Sequence, residues 1–184
     1  MTEDVDLPSL IVFDLDYTLW DLWIDTHVTG PLRRPGRTLN KVLDRYDEEI
    51  AFYPDVPRII HETSGRSHLA LCSRTHAPDL AREALRLLLV PPPPDSSEEP
   101  KPAIDYFPHK EIYPGSKIKH FMALHKKTGI PYDQMLFFDD ESRNREVETL
   151  GVTFILVTRG TTHKLFWDGV EKWRNKQAVA TVNE

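Results

Sequence analysis

The chain has one cysteine, Cys72, in 184 residues, which excludes an internal disulfide and leaves the fold to a packed core. No apolar run approaches the length a membrane span needs. The opening Met1 to Asp6 is acidic where a secretory leader would be basic. These absences predict an intracellular protein without a membrane partner, cytoplasmic and compatible with the nucleus. A basic excess is missing too: 23 Lys and Arg stand against 29 Asp and Glu, a net charge of −6, so there is no electrostatic footprint for nucleic acid. Zinc-ligand spacing is also absent, since His61, His68 and His76 are scattered and His120 and His125 miss the i, i+4 pairing. There is no internal repeat, and the length predicts a single domain over residues 1–184. Oligomeric state is not legible.

What the chain does have is a pair of aspartates one residue apart. Asp14 and Asp16 end the apolar run Leu10-Ile11-Val12-Phe13, and carboxylates at the end of a buried strand need a metal or a reactive role. In extended chain, residues i and i+2 point the same way, so both carboxylates can reach one pocket. Like charges that close raise each other's proton affinity unless a cation intervenes, and hard oxygen ligands suit Mg²⁺. One carboxylate can then act as a nucleophile and the other as a general acid and base. The plainer reading is a strand-end turn in which one aspartate caps the backbone.

Further strands are predicted at Ser67 to Cys72, Met135 to Phe138 and Thr153 to Val157. Helices are predicted where apolar residues recur at helical spacing: Leu80, Ala81, Ala84, Leu85 and Leu88; Ile118, Phe121, Met122 and His125, capped by Ser116 and stopped by Gly129; and Leu165, Phe166, Gly169, Val170 and Trp173 behind Thr162. Alternating strands and helices predict an α/β fold with a doubly wound parallel sheet, whose ligand lies at the carboxyl ends of the strands. Asp14/Asp16, Ser73/Arg74 and Asp139/Asp140 each follow a different predicted strand. Two segments interrupt the pattern. Residues 19–53, with Trp20, Trp23 and His27, read as a flap or substrate loop over the first strand, or as a surface insertion. Residues 91–102 are a proline-rich, exposed connector, with a polyproline ligand as the alternative.

Ser73 and Arg74 offer a hydroxyl and a fork of donors matched to phosphate oxygens, although Arg74 also suits a surface ion pair. Lys117 opens a helix against the dipole preference, which has a reason if it neutralises Asp14 and a phosphate; by charge alone Lys119 is as plausible. Asp139 and Asp140 can supply one direct metal ligand and one group that orients metal-bound water. Cys72 reads as a buried structural thiol, because Pro78 stands where a cysteine-phosphatase loop needs its arginine. His27 reads as a satisfied loop histidine or a substrate contact.

Phe13-Asp14-Leu15-Asp16-Tyr17-Thr18-Leu19-Trp20, Trp23-Ile24-Asp25-Thr26-His27, Ser73-Arg74-Thr75, Glu111 to Lys117 and Phe137 to Asn144 together resemble the haloacid dehalogenase superfamily of aspartyl-phosphate enzymes, in the eukaryotic magnesium-dependent phosphatase group. The resemblance implies a Rossmann-like core without a large cap domain. It implies that Asp14 attacks phosphorus, that Asp16 protonates the leaving oxygen and then activates water, and that Leu15, Asp16, Ser73, Arg74 and Lys117 surround the substrate. Mg²⁺ is implied at Asp14, at the backbone carbonyl of Asp16 and at Asp140, with Asp139 and Asn144 as auxiliary groups. The substrate implied is a phosphoprotein carrying phosphotyrosine or a small sugar phosphate. The flap and the proline-rich segment depart from the family pattern. The rival readings are a receiver-like signalling module, a dehalogenase and a non-hydrolysing phosphoprotein-binding scaffold.

Overall fold

The computed structural model of the protein describes residues 5–182; residues 1–4, most of the acidic opening, lie outside that range. In chain order the elements are β1 (Leu10–Phe13), α1 (Ile24–His27), β2 (Val42–Leu43), β3 (Glu49–Ile50), α2 (Val56–Thr63), β4 (His68–Ser73) and α3 (Pro78–Leu87). They continue with β5 (Leu89–Val90), β6 (Lys101–Pro102), β7 (His109–Ile112), α4 (Lys117–Thr128), β8 (Met135–Asp139), β9 (Thr153–Leu156) and α5 (His163–Val182). None of the described helices is long and apolar enough to cross a membrane.

Five strands form one parallel sheet in the order β7-β4-β1-β8-β9. All four residues of β1 are apolar and buried, as a central strand covered on both faces requires. Alternation sends Ile11 and Phe13 to one face, where they pack with Leu71, Phe138, Ala81, Leu85 and Phe166. Leu10 and Val12 go to the other, against Phe121, Leu124, Phe137 and Phe154. Helices therefore cover both faces, and the sheet is doubly wound and Rossmann-like as expected. The chain runs outward from β1 through β4 to β7, then returns to β8 on the opposite edge of β1, so the crevice lies at the carboxyl end of β1.

Several features add to or depart from that expectation. The sheet gains an edge strand in β7, whose polar His109-Lys110-Glu111 start carries no apolar run to read. The segment after Asp140 is a 3-10 helix, Ser142–Leu150. On α4 the buried face comprises Lys117, His120, Phe121 and Leu124, while Met122 is 55% exposed, so the helix is rotated from the stripe that includes Met122 and His125. Residues 19–53 pack onto the main core: Leu19, Trp20, Ile24, Val28, Leu32, Val42, Ile50 and Phe52 join it, with β2 and β3 paired antiparallel. The proline-rich segment is the connection of a small antiparallel pair, β5 with β6.

Candidate active site

The register of the sheet brings the polar residues together. Phe13 pairs with Phe138, and the Asp14 N–H extends the ladder by donating to the Phe138 carbonyl at 3.0 Å, which sets Asp14 beside Asp139. After Asp16 the chain turns sharply. Tyr17 takes a left-handed conformation, φ 56°, and the Thr18 and Leu19 N–H groups close back onto the Leu15 carbonyl at 3.0 and 2.8 Å. The Leu15 side chain is buried in the core, so only its backbone can face a ligand. Thr18 is buried, directs its hydroxyl at Asp14 Oδ2 (3.4 Å), and is itself held through its carbonyl by the Thr161 hydroxyl at 2.7 Å.

Lys117 is 1% exposed and reaches Asp14 Oδ1 at 2.8 Å and Asp139 Oδ2 at 3.1 Å, with a further bond to the Cys72 carbonyl. It stands at the start of α4, whose Ser116 cap accepts from the Lys119 N–H. Burial alone would discharge the ammonium, but the two carboxylates outweigh it and hold the Lys117 pKa above its usual value. Lys119 is exposed and does not line the cavity. Asp139 is fully enclosed: its Oδ1 accepts from the Glu141 N–H (2.7 Å), and the Asn144 amide spans both of its oxygens at 2.9 Å. Asp140 is only half-buried, and burial followed by the Asp139 and Glu141 charges pushes its carboxyl up to about 6. Asp14 is raised well above the ordinary range by burial, with Lys117 opposing and Asp139 and Asp140 reinforcing.

Asp16 faces the same cavity in a different environment. Its Oδ1 accepts the Trp20 indole N–H at 2.7 Å and the Ile24 N–H at 3.1 Å. Burial outweighs these two bonds and pushes the carboxyl up to about 6. Two carboxylates a residue apart thus differ in kind: Asp14 is locked to an ammonium, and Asp16 is held by neutral donors.

The cavity measures about 440 Å³ and is lined by Asp14, Asp16, Ser73, Arg74, Lys117 and Asp140, together with Asn144, Pro114 and Gly115. Ser73 ends β4 and is 2% exposed. Arg74 meets the Asn144 amide oxygen at 3.3 Å rather than a surface carboxylate. Trp23, Asp25, Thr26, Thr75, His76, Glu141 and Arg143 complete the wall, and only Trp23 among them was singled out from sequence, as part of the flap. Asp25 ties the flap to the loop after β4 by accepting from the His76 N–H (3.1 Å) and the Thr75 hydroxyl (3.4 Å). An acidic residue in the first turn of a four-residue helix was the available signal, but its partners lie some fifty positions away. His27 is outside the cavity wall; its Nδ1 accepts the Trp23 N–H at 3.0 Å and its ring stacks on Trp23, as the satisfied-loop reading has it. Burial pushes the Cys72 thiol far above its normal range, consistent with an inert core residue.

Among the described residues, one group of side chains is close enough to hold a metal ion: Asp14, Asp139 and Asp140, with one oxygen from each lying within 4.8 Å of the others. Three carboxylates face one ammonium, and the excess negative charge is what burial penalises. A hard divalent cation fits that donor set and that imbalance.

The Acid Phosphatase family profile matches residues 6–176. A HAD-like hydrolase superfamily protein of Schizosaccharomyces pombe is 49% identical over 84% of this chain and 88% of its own length. The human protein named magnesium-dependent phosphatase 1 is 40% identical over 93% of this chain and 90% of its own. Among solved structures, the phosphatase-domain part of a Bacteroides fragilis protein complexed with Mg superposes with a TM-score of 0.51 at 18% identity, covering 81% of this chain and 36% of that one. A HAD-superfamily hydrolase of subfamily IA from Geobacter sulfurreducens also gives 0.51, at 14% identity, covering 80% of this chain and 88% of that one. These two likenesses agree with the fold, and the sequence matches extend through nearly the whole chain: it belongs to the acid phosphatase family of the haloacid dehalogenase superfamily.

Proposed function

We propose that the protein is a Mg²⁺-dependent phosphomonoester hydrolase that works through an aspartyl-phosphate on Asp14. The observation that carries this reading is the meeting of Asp14, Lys117, Asp139 and Asp140 on one cavity wall, with Asp16 on the same cavity but bound to neutral donors. Asp14 and Asp140, with the Asp16 carbonyl, would hold the Mg²⁺; Asp139, already bound by Asn144, Glu141 and Lys117, orients its neighbours instead. When bound, Mg²⁺ supplies charge neutralisation for the phosphoryl group and for Asp14.

A carboxylate oxygen of Asp14 attacks phosphorus, the bond from phosphorus to the ester oxygen breaks, and Asp16 gives its proton to the departing oxygen. Asp16 then takes a proton from the water that attacks phosphorus, which releases phosphate and restores Asp14. Ser73 and Lys117 bind the equatorial oxygens, and Arg74 stands at the mouth. Positioning and charge stabilisation carry most of the acceleration in such a transfer. The substrate is a protein phosphotyrosine or a small sugar phosphate. Trp23, 49% exposed on the cavity wall and held edge-on by Tyr17, favours a ring-bearing group, so phosphotyrosyl peptides are expected to exceed sugar phosphates in kcat/KM.

Asp14→Asn, folded as judged by circular dichroism, is expected to lose at least about a thousandfold in p-nitrophenyl phosphate hydrolysis with Mg²⁺. Beryllofluoride added with Mg²⁺ is expected to attach to Asp14 in a crystal structure. Wild-type turnover by the Asn variant, or attachment to another side chain, would remove Asp14 from the role of nucleophile.

A further inference from the structure

One oxygen of Asp16 is committed and the other is not. Oδ1 accepts two hydrogen bonds, from the Trp20 indole N–H at 2.7 Å and from the Ile24 N–H at 3.1 Å. Both partners are obligate donors, so Oδ1 meets hydrogens on both sides and has no acceptor to which it could itself donate. Among the described residues none donates to Oδ2 in a hydrogen bond, and Asp16 lines the cavity. The two donors differ in origin. Ile24 contributes backbone from the start of α1, whereas Trp20 contributes a side chain fixed for the purpose: it is fully buried, stacks on Phe52 with centroids 6.1 Å apart and planes at 15°, and bridges along the backbone to both Asp16 and Phe52. Packing alone would be met by phenylalanine at this position. An indole buried in a hydrocarbon core needs a partner for its N–H, and the partner it has found is the carboxylate beside the nucleophile.

We propose that Trp20 is a positioning residue for the hydrolysis, its indole N–H holding Asp16 in the rotamer that turns Oδ2, and not Oδ1, to the leaving oxygen of the substrate. This rests on the reading of Asp16 as the general acid. It assigns the flap a part in the chemistry as well as in covering the site: Phe52, at the far end of the flap, sets the indole, the indole sets Asp16, and Asp16 meets the ester oxygen. A freely rotating carboxyl would spend part of its time offering the wrong oxygen, and the loss would be felt only where the departing group requires a proton.

That selectivity provides the test. Trp20→Phe keeps the buried ring and its stacking and removes the N–H. The quantity to measure is kcat/KM, which reports the steps through phosphoryl transfer, for phenyl phosphate, whose leaving oxygen needs protonation, and for 2,4-dinitrophenyl phosphate, whose does not. The variant is expected to lose roughly tenfold to a hundredfold on phenyl phosphate and less than about threefold on the dinitrophenyl ester. Asp16→Asn should show the same split, only larger. Phe52→Leu, which loosens the stacking but leaves the N–H, should show a smaller split in the same direction together with a lower melting temperature. Should Trp20→Phe fail to fold, benzothienylalanine at position 20, in which sulfur replaces the N–H within the same outline, is read by the same two substrates. Equal losses on both esters, or none on either, in a Trp20 variant while Asp16→Asn splits them would overturn the role of Trp20. If Asp16→Asn itself shows no split, the acid assignment fails, which is a separate result.

Discussion

Lys117 and His120 lie three residues apart on the buried face of α4 and resolve the cost of burial in opposite ways. Lys117 keeps its charge because two carboxylates surround it. Among the described residues His120 Nε2 meets only the Tyr113 carbonyl, at 2.9 Å, and its Nδ1 has no hydrogen-bond partner; burial, then Lys117, push its pKa down to about 4. The unfolded chain takes up this proton near pH 6.5, so between about 6.5 and 4 it binds more protons than the folded one. The stability that neutral His120 contributes is therefore present above pH 6.5 and is lost as pH falls through about 4. Relative to His120→Gln, the wild type is expected to lose on the order of 1–3 kcal/mol in urea unfolding between pH 7 and 4.5, and parallel curves would contradict it. Cavity residues at strand ends, such as Asp14, Ser73 and Asp140, could be picked out from sequence as candidates, because a polar side chain directly after an apolar run stands out wherever the chain goes next. Glu111 and His120 could not. Glu111 is 2% exposed, held by the Tyr113 hydroxyl at 2.6 Å and by Lys127, and nothing in an alternating polar stretch shows that it is inside.

Among the elements, legibility followed the contrast between apolar and polar residues. β1 and β8 are buried along their length and β9 over its first three residues, and they announced themselves. β7 is an edge strand with one neighbour, β4, and needs no such run. The face of α4 was displaced because its core positions include a lysine and a histidine, which a hydrophobic pattern scores as solvent-facing. The connection from β9 to α5 shows how elements pass geometry to the site. Gly160 sits at φ 77°, and a Cβ there would meet the Tyr53 ring at 2.5 Å. Next to it Thr161 holds Thr18, which directs its hydroxyl at Asp14. Gly160→Ala is therefore expected to cost about 1–3 kcal/mol in denaturant unfolding and to reduce kcat more than tenfold, since the displaced Tyr53 and Thr161 both hold the turn that follows Asp16. Full activity with wild-type stability would mean that this loop yields without consequence.

For the molecule as a whole, the α/β class and its parallel sheet followed from the alternation of strands and helices, and the location of the cavity from the winding. The packing of residues 19–53 was not foreseeable, because its apolar residues Val28, Leu32, Val42 and Ile50 are spaced by loop geometry and fit no regular period. Its fold depends on the core it covers. β1, which leads directly into Asp14, is bounded by β4 and β8 on its two edges and covered by apolar layers on both faces. No local fluctuation can free its amides, so in deuterium oxide the amide hydrogens of Ile11 to Phe13 are expected to exchange only through global unfolding, among the slowest in the chain. Rapid exchange there, detected by mass spectrometry or NMR, would show that the strand opens independently. The clock read at β1 would then be that of the entire fold: the chemistry turns over beside a strand that stays closed for as long as the protein remains native.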